Sequence, residues 1–334
     1  MAIAVTYLNR IQVGQEITKG TIVPATAVLL VNKATFTGQD GVYIPRQQKG
    51  LLADASAGVL TSQNYQWSME TDVSFQQILY YLNMGLKKVL TGTGAGADKT
   101  YTFAPSATGA DDFLTMSMEQ RRTDGTNNVD RVFSYGMVSS IEIAGALDGS
   151  TTLKVEGFCQ DEVSTGFTAA LTIPATFMIP AAQSWKLYSD ANWAALGTTQ
   201  ISGQLYGFSW KLNTGLTAAM YMGSLDMARH RRNMRGVELS LTLDHEMTAG
   251  FLETLKTRKR SRALSYLQLE VLGATLGAGT YKIELDGAYS ADDVPDSDDH
   301  DGEQFATVKL TSKYDTTGAQ DIRAVVVTDA AALV

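Results

Sequence analysis

One succession of elements, a strand, a helix and then further strands, occurs twice in this sequence, and that duplication constrains the fold more than any other feature. Tyr65-Gln-Trp-Ser-Met-Glu70 followed by Phe75-Gln-Gln-Ile-Leu79 has the same order as Leu241-Thr-Leu-Asp-His-Glu246 followed by Phe251-Leu-Glu-Thr-Leu255, with Phe75 and Phe251 176 positions apart. Downstream, Phe113-Leu-Thr-Met-Ser-Met118 matches Tyr266-Leu-Gln-Leu-Glu-Val271 at 153 positions, as Asp148-Gly149 matches Asp301-Gly302, and Leu153-Lys-Val155 meets Val308-Lys-Leu310 at 155. Upstream, Thr21-Ile-Val-Pro-Ala-Thr26 resembles Thr172-Ile-Pro-Ala-Thr176, with Pro24 and Pro174 150 positions apart. The reading is two tandem copies, residues 1–165 and 166–334. The first carries an N-terminal arm and a Gly/Ala/Thr-rich insertion near 91–112; the second carries a long inter-strand arm near 215–236.

Each copy reads as mainly β with one helix. Alternating or β-branched runs recur at Phe113–Met118, Val138–Ile143, Thr152–Glu156, Leu205–Leu212, Val237–Leu243, Tyr266–Val271, Tyr281–Leu285 and Ala306–Leu310, with Gly, Asp and Asn between them. Asp148-Gly149 between apolar strands predicts a tight hairpin, whereas Asn213-Thr-Gly215 opens a longer excursion. After Tyr65–Met69, apolar residues at Phe75, Ile78, Leu79, Leu82 and Leu86 have the spacing of one buried helix face, and Thr71 or Asp72 is the expected cap.

Charge and composition narrow the function. With 27 basic and 35 acidic residues the chain has a formal net charge of −8, the opposite of a nucleic-acid clamp. A single cysteine, Cys159, excludes an intramolecular disulfide framework, and three histidines leave little material for a Cys/His metal site. No apolar run nears the roughly 20 residues that span a bilayer, so no membrane span is expected. Polar residues interrupt the first ten positions before any secretory core forms.

Candidate chemistries are sparse. Asp244-His245-Glu246 sets a histidine between carboxylates, as a general base or metal ligand requires, but at a strand-to-helix junction where acids also favour the helix start. The acidic run Asp292–Glu303 misses the EF-hand register and reads as a solvated hairpin tip. Cys159 has no neighbour that would lower its pKa. Gly92-Thr-Gly-Ala-Gly96 lacks the lysine and the strand-turn-helix setting of a phosphate loop. No catalytic, cofactor-binding or metal residue is assigned, and no enzyme activity or cofactor is expected.

The sharpest charge feature is Arg229-His-Arg-Arg-Asn-Met-Arg235. Contact with nucleic acid is one reading, although aromatic residues do not interleave with its cations. Contact with an acidic surface on a neighbouring copy, such as Asp292–Glu303, is preferred, which makes Arg229, Arg231, Arg232 and Arg235 candidate contacts between copies. Lys256-Thr-Arg-Lys-Arg-Ser-Arg262 closes the second helix, where cations suit the dipole.

Gly14-Gln-Glu-Ile-Thr-Lys-Gly-Thr-Ile-Val-Pro-Ala-Thr26, a strand, and a helix led by Glu70 and ending near Gly85 resemble the major tail (tail tube) proteins of long-tailed, non-contractile bacteriophages. So do Gly279-Thr-Tyr-Lys-Ile-Glu-Leu-Asp-Gly287, the acidic loop and the closing strand Phe305–Tyr314. The resemblance implies two tandem tail-tube-like β-sandwich or barrel domains, each contributing strands to a ring-shaped inner β-barrel. It implies three copies per ring, rings stacked into the conduit for genome delivery, and the 215–236 arm extended to an adjacent ring. It further implies a virion tail assembled in the host cytoplasm, a tape-measure protein in the lumen during assembly, tail terminator and tail-tip proteins as partners, and DNA that passes without specific binding. An acidic wall agrees with the last point, since basic walls would hold the polymer by counterion release.

Two other classes compete. A β-sandwich surface or carbohydrate-binding module would present an exposed aromatic cluster, for which Trp185, Tyr188 and Trp193 are the candidates. A hydrolase would need His245 or an acidic pair in a pocket.

Overall fold

A computed structural model describes residues 9–44, 58–109, 111–147, 149–164, 166–174, 177–244, 250–295, 298–300, 303–330 and 333. The first half contains β1 (Arg10–Gln15), β2 (Ala27–Leu29), β3 (Lys33–Tyr43), β4 (Val59–Asp72), α1 (Ile78–Gly85), β5 (Lys99–Phe103), β6 (Met116–Thr123), β7 (Asn128–Ala146), β8 (Thr152–Cys159) and β9 (Glu162–Val163). The second contains β10 (Trp185–Asp190), β11 (Gln200–Ile201), β12 (Leu205–Asn213), β13 (Leu216–Ala219), β14 (Arg229–Arg232), β15 (Gly236–Asp244), α2 (Phe251–Ser261), β16 (Ser265–Leu276), β17 (Gly279–Asp293), β18 (Asp298–His300), β19 (Glu303–Ser312) and β20 (Ile322–Thr328). The chain is mainly β and its ladders are antiparallel; the described strands do not close into a barrel.

The two halves share one order of pairing. In the first, β3 pairs β4, β4 pairs β8, β8 pairs β7, β7 pairs β6, and β6 pairs β1. In the second, β12 pairs β15, β15 pairs β19, β19 pairs β17, β17 pairs β16, and β16 pairs β10. Leu153–Val155 and Val308–Leu310 take the same place in this order, as their sequence match requires. Opposite Lys154 lies Glu70, and opposite Lys309 lies Ser240, so these two ladders correspond at 170 positions where the sequence match of Glu70 with Glu246 gives 176. His245 and Glu246 lie outside the described residues. Alternation alone leaves a strand free to slide by two residues without changing its buried face, which is why the ladder and the motif disagree by an even number.

In the long sheet the halves meet where Gly207–Asn213 of β12 runs antiparallel to Ala146–Ser140 of β7. The result is a continuous run of strands, β3-β4-β8-β7-β12-β15-β19 and the distal part of β17. Alternation sorts its faces. Phe36, Trp67, Met69, Leu153, Val155, Ile141, Ile143, Trp210, Leu212, Leu239, Leu241 and Val308 point into a shared core and are buried, while the residues between them are solvated. Each such side chain contributes about 1.5–3 kcal/mol of transfer free energy. At Gly157 the crowding is absolute, since a Cβ there would lie 2.1 Å from the Met137 carbonyl oxygen and 2.4 Å from the Trp67 indole.

α1 departs from the expected one-sided stripe. Seven of its residues, Ile78, Leu79, Tyr81, Leu82, Asn83, Met84 and Gly85, are buried, because the helix is enclosed within the core. Asn83 is accommodated by donating to the Leu79 carbonyl at 2.8 Å and accepting from the Val89 N–H at 2.6 Å. Neither Thr71 nor Asp72 caps it. Thr71 donates from β4 to the Leu30 carbonyl, Asp72 accepts from the Ser150 hydroxyl, and the Ser74 hydroxyl accepts from the N–H groups of Gln76 and Gln77 in the lead-in turn. α2 ends with Arg258, Lys259 and Arg260 in its last turn, as read from the sequence. β7 and β8 pair antiparallel, with Ala144 opposite Thr152, so the two strands form the predicted hairpin, while Asp148 of the expected Asp-Gly turn lies outside the described residues.

The 91–112 insertion is not a loop throughout. β5 within it pairs β20, and β20 pairs β17, so a strand from the first half adds to the second half's sheet. Among the described residues no helix is long and apolar enough to cross a membrane.

Candidate functional site

The solvated face of the long sheet carries an ordered row of charges. Across successive strands Lys33 faces Glu70, Glu70 faces Lys154, Lys154 faces Glu142, Glu142 faces Lys211, and Lys211 faces Glu238. Opposite charges on directly paired positions each contribute a few tenths of a kcal/mol up to about 1 kcal/mol. Glu142 also accepts from the Ser209 hydroxyl at 3.2 Å, and Lys154 meets Glu156 at 3.0 Å along its own strand. That hydrogen bond and charge pair hold Glu156 below the ordinary carboxylate range against a smaller burial effect. Beside the row the face is Thr, Ser, Gln and Asn: Thr35, Thr37, Gln39, Asn64, Gln66 and Ser68 line an open groove of about 640 Å³. The whole face has cations and anions interleaved and no basic patch.

The basic segment divides in two. β13 and β14 form a hairpin with Leu216 opposite Arg232 and Ala219 opposite Arg229. Its inner face carries Leu216 and Ala218, and Leu216 and Met227 form a second core with Phe113, Tyr135, Met137 and Phe158 of the first half, Ala218 packing against it. Arg232 and Arg235 face inward with it. Arg232 pairs Asp111 at 3.5 Å, its guanidinium 5.0 Å above the Phe113 ring. Arg235 donates to Asp321 at 2.8 and 3.0 Å and to the Ser106 carbonyl at 3.0 Å. The described part of the arm is therefore folded back on its own chain and anchored in the 91–112 insertion. Fixed geometry and mutual shielding tie these two of the four candidate arginines to intramolecular partners.

Arg229 and Arg231 are exposed. Arg229 donates to the Tyr221 hydroxyl at 2.7 Å, and both guanidinium groups lie near that ring, at 5.3 and 5.8 Å. At the tip beside Arg229, Met222 is almost wholly exposed, and Tyr221 and Leu225 are about two-fifths exposed. The Leu225 carbonyl accepts from the Gln63 N–H at 2.7 Å, which sets this tip beside the β3–β4 hairpin end, where Val42, Tyr43, Ile44 and Val59 are also exposed. This apolar, basic end was not legible from the arginine run, although Tyr221-Met-Gly-Ser-Leu225 is an apolar signal in an otherwise polar excursion.

His230 is half-buried, with Nδ1 3.0 Å from the Tyr135 hydroxyl. Burial first, then Lys19, hold its pKa below the ordinary value. Tyr135 sits within β7 at φ 56°, a left-handed conformation that costs energy for a residue with a side chain; its N–H donates to the buried Glu16 carboxylate at 2.7 Å.

Other candidates are dispersed. Trp185 is buried, donates to the Thr151 hydroxyl and packs on Phe208; Tyr188 bonds Glu270; Trp193 lies edge-on to Tyr266. They make no common exposed platform. Cys159 is buried with its thiol pushed up by burial. Asp244 ends β15, whereas His245 and Glu246 fall outside the described residues. The acidic run Asp292–Glu303 is only partly described, and the described residues contain no group of three or more His, Cys, Asp or Glu placed to hold a metal. Asp286 is the buried carboxylate with the largest consequence. Its Oδ2 takes two Arg323 donors at 2.7 Å and its Oδ1 has no hydrogen-bond partner; burial raises its pKa to about 6, with Arg323 opposing.

No protein-family model matches the chain, and a search of curated proteins finds no match.

Proposed function

We propose that the chain is a structural virion protein, the tube subunit of a long-tailed phage tail, whose copies form rings that stack into the conduit for genome delivery. The observation that carries this reading is the long two-half sheet with a solvated, charge-interleaved face and a buried opposite face. A wall of that kind offers DNA no continuous basic track and therefore little counterion release. With two tube-like domains per chain, three copies make a ring of six. The tape-measure protein occupies the lumen during assembly, terminator and tip proteins close the ends, and assembly takes place in the host cytoplasm. The exposed apolar end with Arg229 and Arg231 fits contact between rings, since large exposed apolar patches mark interaction surfaces. The sugar-binding alternative has no comparable support, because Trp185 is committed to the core.

Electron microscopy tests the reading: purified protein at high concentration forms rings or tubes of uniform width, and antibody against it decorates virion tails. A strictly monomeric protein absent from virions would overturn it.

A further inference from the structure

The long sheet has two ends, and the junction inside the chain shows how they fit each other. β12 lies along Ser140–Ala146 of β7, on the side opposite β8. In the shared pairing order β17 is the counterpart of β7. β16 pairs one side of β17 as far as Tyr289, and β20 and then β19 pair the other. Along Ser290–Asp293 the side that β16 leaves carries no strand among the described residues. β3 is the counterpart of β12: it pairs β4 on one side, and no described strand covers the other. The chain thus exposes one copy of each half of a junction it has already made once.

We infer that β3 of one copy pairs antiparallel with the distal part of β17 in the next copy. This deepens the ring reading above and rests on it for the closed ring, though not for the pairing. The register transfers rung by rung. Glu142, Lys154, Glu70 and Lys33 correspond to Asp293, Lys309, Ser240 and Ser209. Thr37 therefore corresponds to Asn213, and Ser290 to Ser140, which stands opposite Glu156 as Ser290 stands opposite Thr311. Since Asn213 faces Ser140 within the chain, Thr37 faces Ser290 between chains. Ser209 faces Ala144, two residues past Glu142, so Lys33 lands two residues past Asp293, at Pro295, which lacks an N–H and ends the pairable stretch.

A second observation supports the same occupant. Past Asn213 the chain continues into Leu216, which is buried against the first half; past Thr37 it continues into Val42 and Tyr43, which are more than half exposed. The neighbour's second half supplies the cover that the first half supplies within the chain. The contact is head-to-tail, using different surfaces on the two partners, and such contacts propagate until they close.

Within the chain the Thr214 N–H donates to the Ser139 carbonyl, so Asn213–Ser140 is a non-hydrogen-bonded pair, and the corresponding Thr37–Ser290 pair brings its Cβ atoms to about 4.5 Å, within disulfide reach. Chains carrying T37C are mixed with chains carrying S290C and oxidised; both sites are at the surface, and Cys159 is buried. The expected result is a covalent dimer in the mixture only, and in the double variant a ladder ending at one closed species. Dimers of T37C alone, or assemblies that form in the mixture without crosslinks, would overturn the pairing. Rings without crosslinks would leave the tube reading standing, and crosslinks in a protein absent from virion tails would uphold the pairing and overturn the tube.

Discussion

Glu142 on β7 and Lys211 on β12 stand directly opposite each other in the ladder that joins the two halves of the sheet. Each has a second neighbour of opposite sign, Lys154 beside Glu142 and Glu238 beside Lys211. E142K sets three cations side by side and is expected to cost about 1–2 kcal/mol. Adding K211E does not rescue it, because that change sets two acids beside each other while E142K still faces Lys154. Chemical denaturation of the two variants checks this; full recovery in the double variant would mean an isolated pair and not a continuous row.

The four arginines of the basic segment separate into two classes. R235A removes a mostly buried guanidinium from Asp321 and the Ser106 carbonyl, and about 3 kcal/mol of stability goes with it. R229E and R231E act on exposed side chains and shift stability by no more than about 0.5 kcal/mol. On the tube reading they weaken ring stacking, seen as shorter tubes at unchanged melting temperature.

Asp286 gives stability an acid-favouring component. Folded, it takes up a proton near pH 6, against about 3.8 unfolded, so between those values the folded state holds more protons and stability falls as pH rises, by up to about 3 kcal/mol. D286N removes this component. The difference in unfolding free energy between wild type and D286N, measured from pH 4 to 7, is expected to move in the variant's favour with rising pH and level off above pH 6.

His230 works in the other direction. Its folded pKa lies below the ordinary 6.5, so the docked arm is favoured while the ring is neutral and weakens as pH falls below that value. Amide protection factors across Leu216–Arg232, which allow for the slower intrinsic exchange in acid, should fall on acidification in wild type. H230Q should show little of that change.

Gly157 has no room for a side chain between Met137 and Trp67. G157A is expected to cost at least about 2 kcal/mol through overpacking and strand displacement, measured as a fall in melting temperature, with indole fluorescence reporting the shift at Trp67.

Much of this architecture was readable in the amino-acid order, and the exceptions have physical causes. Alternation located Thr152–Glu156, Leu205–Leu212 and Val237–Leu243, strands with one face buried and one wet. It gave less away for Ala324-Val-Val-Val327, whose strand lies between two others and is largely buried, so its residues lose their alternation. Tyr101 and Phe103 do alternate with threonines in β5, but Gly and Ala around them mask the signal. The α1 periodicity was visible while its complete enclosure was not, since Tyr81 and Asn83 are neutral in a hydrophobic count. For the basic segment, charge alone could not tell Arg235 from Arg231. What separates them is an acid 86 positions away, Asp321, that only the folded chain brings near.

The pairing of β5 with β20 sets Tyr101 opposite Val326, 225 positions later. During synthesis β5 emerges long before its partner and must wait as an unpaired edge while the second half is made. Contacts of such sequence separation form late and slowly. A chain interrupted before Ile322 would keep that edge open and lose one of the two described ladders between its halves, so the order of the first half's β5 depends on synthesis having passed a strand more than 200 positions later.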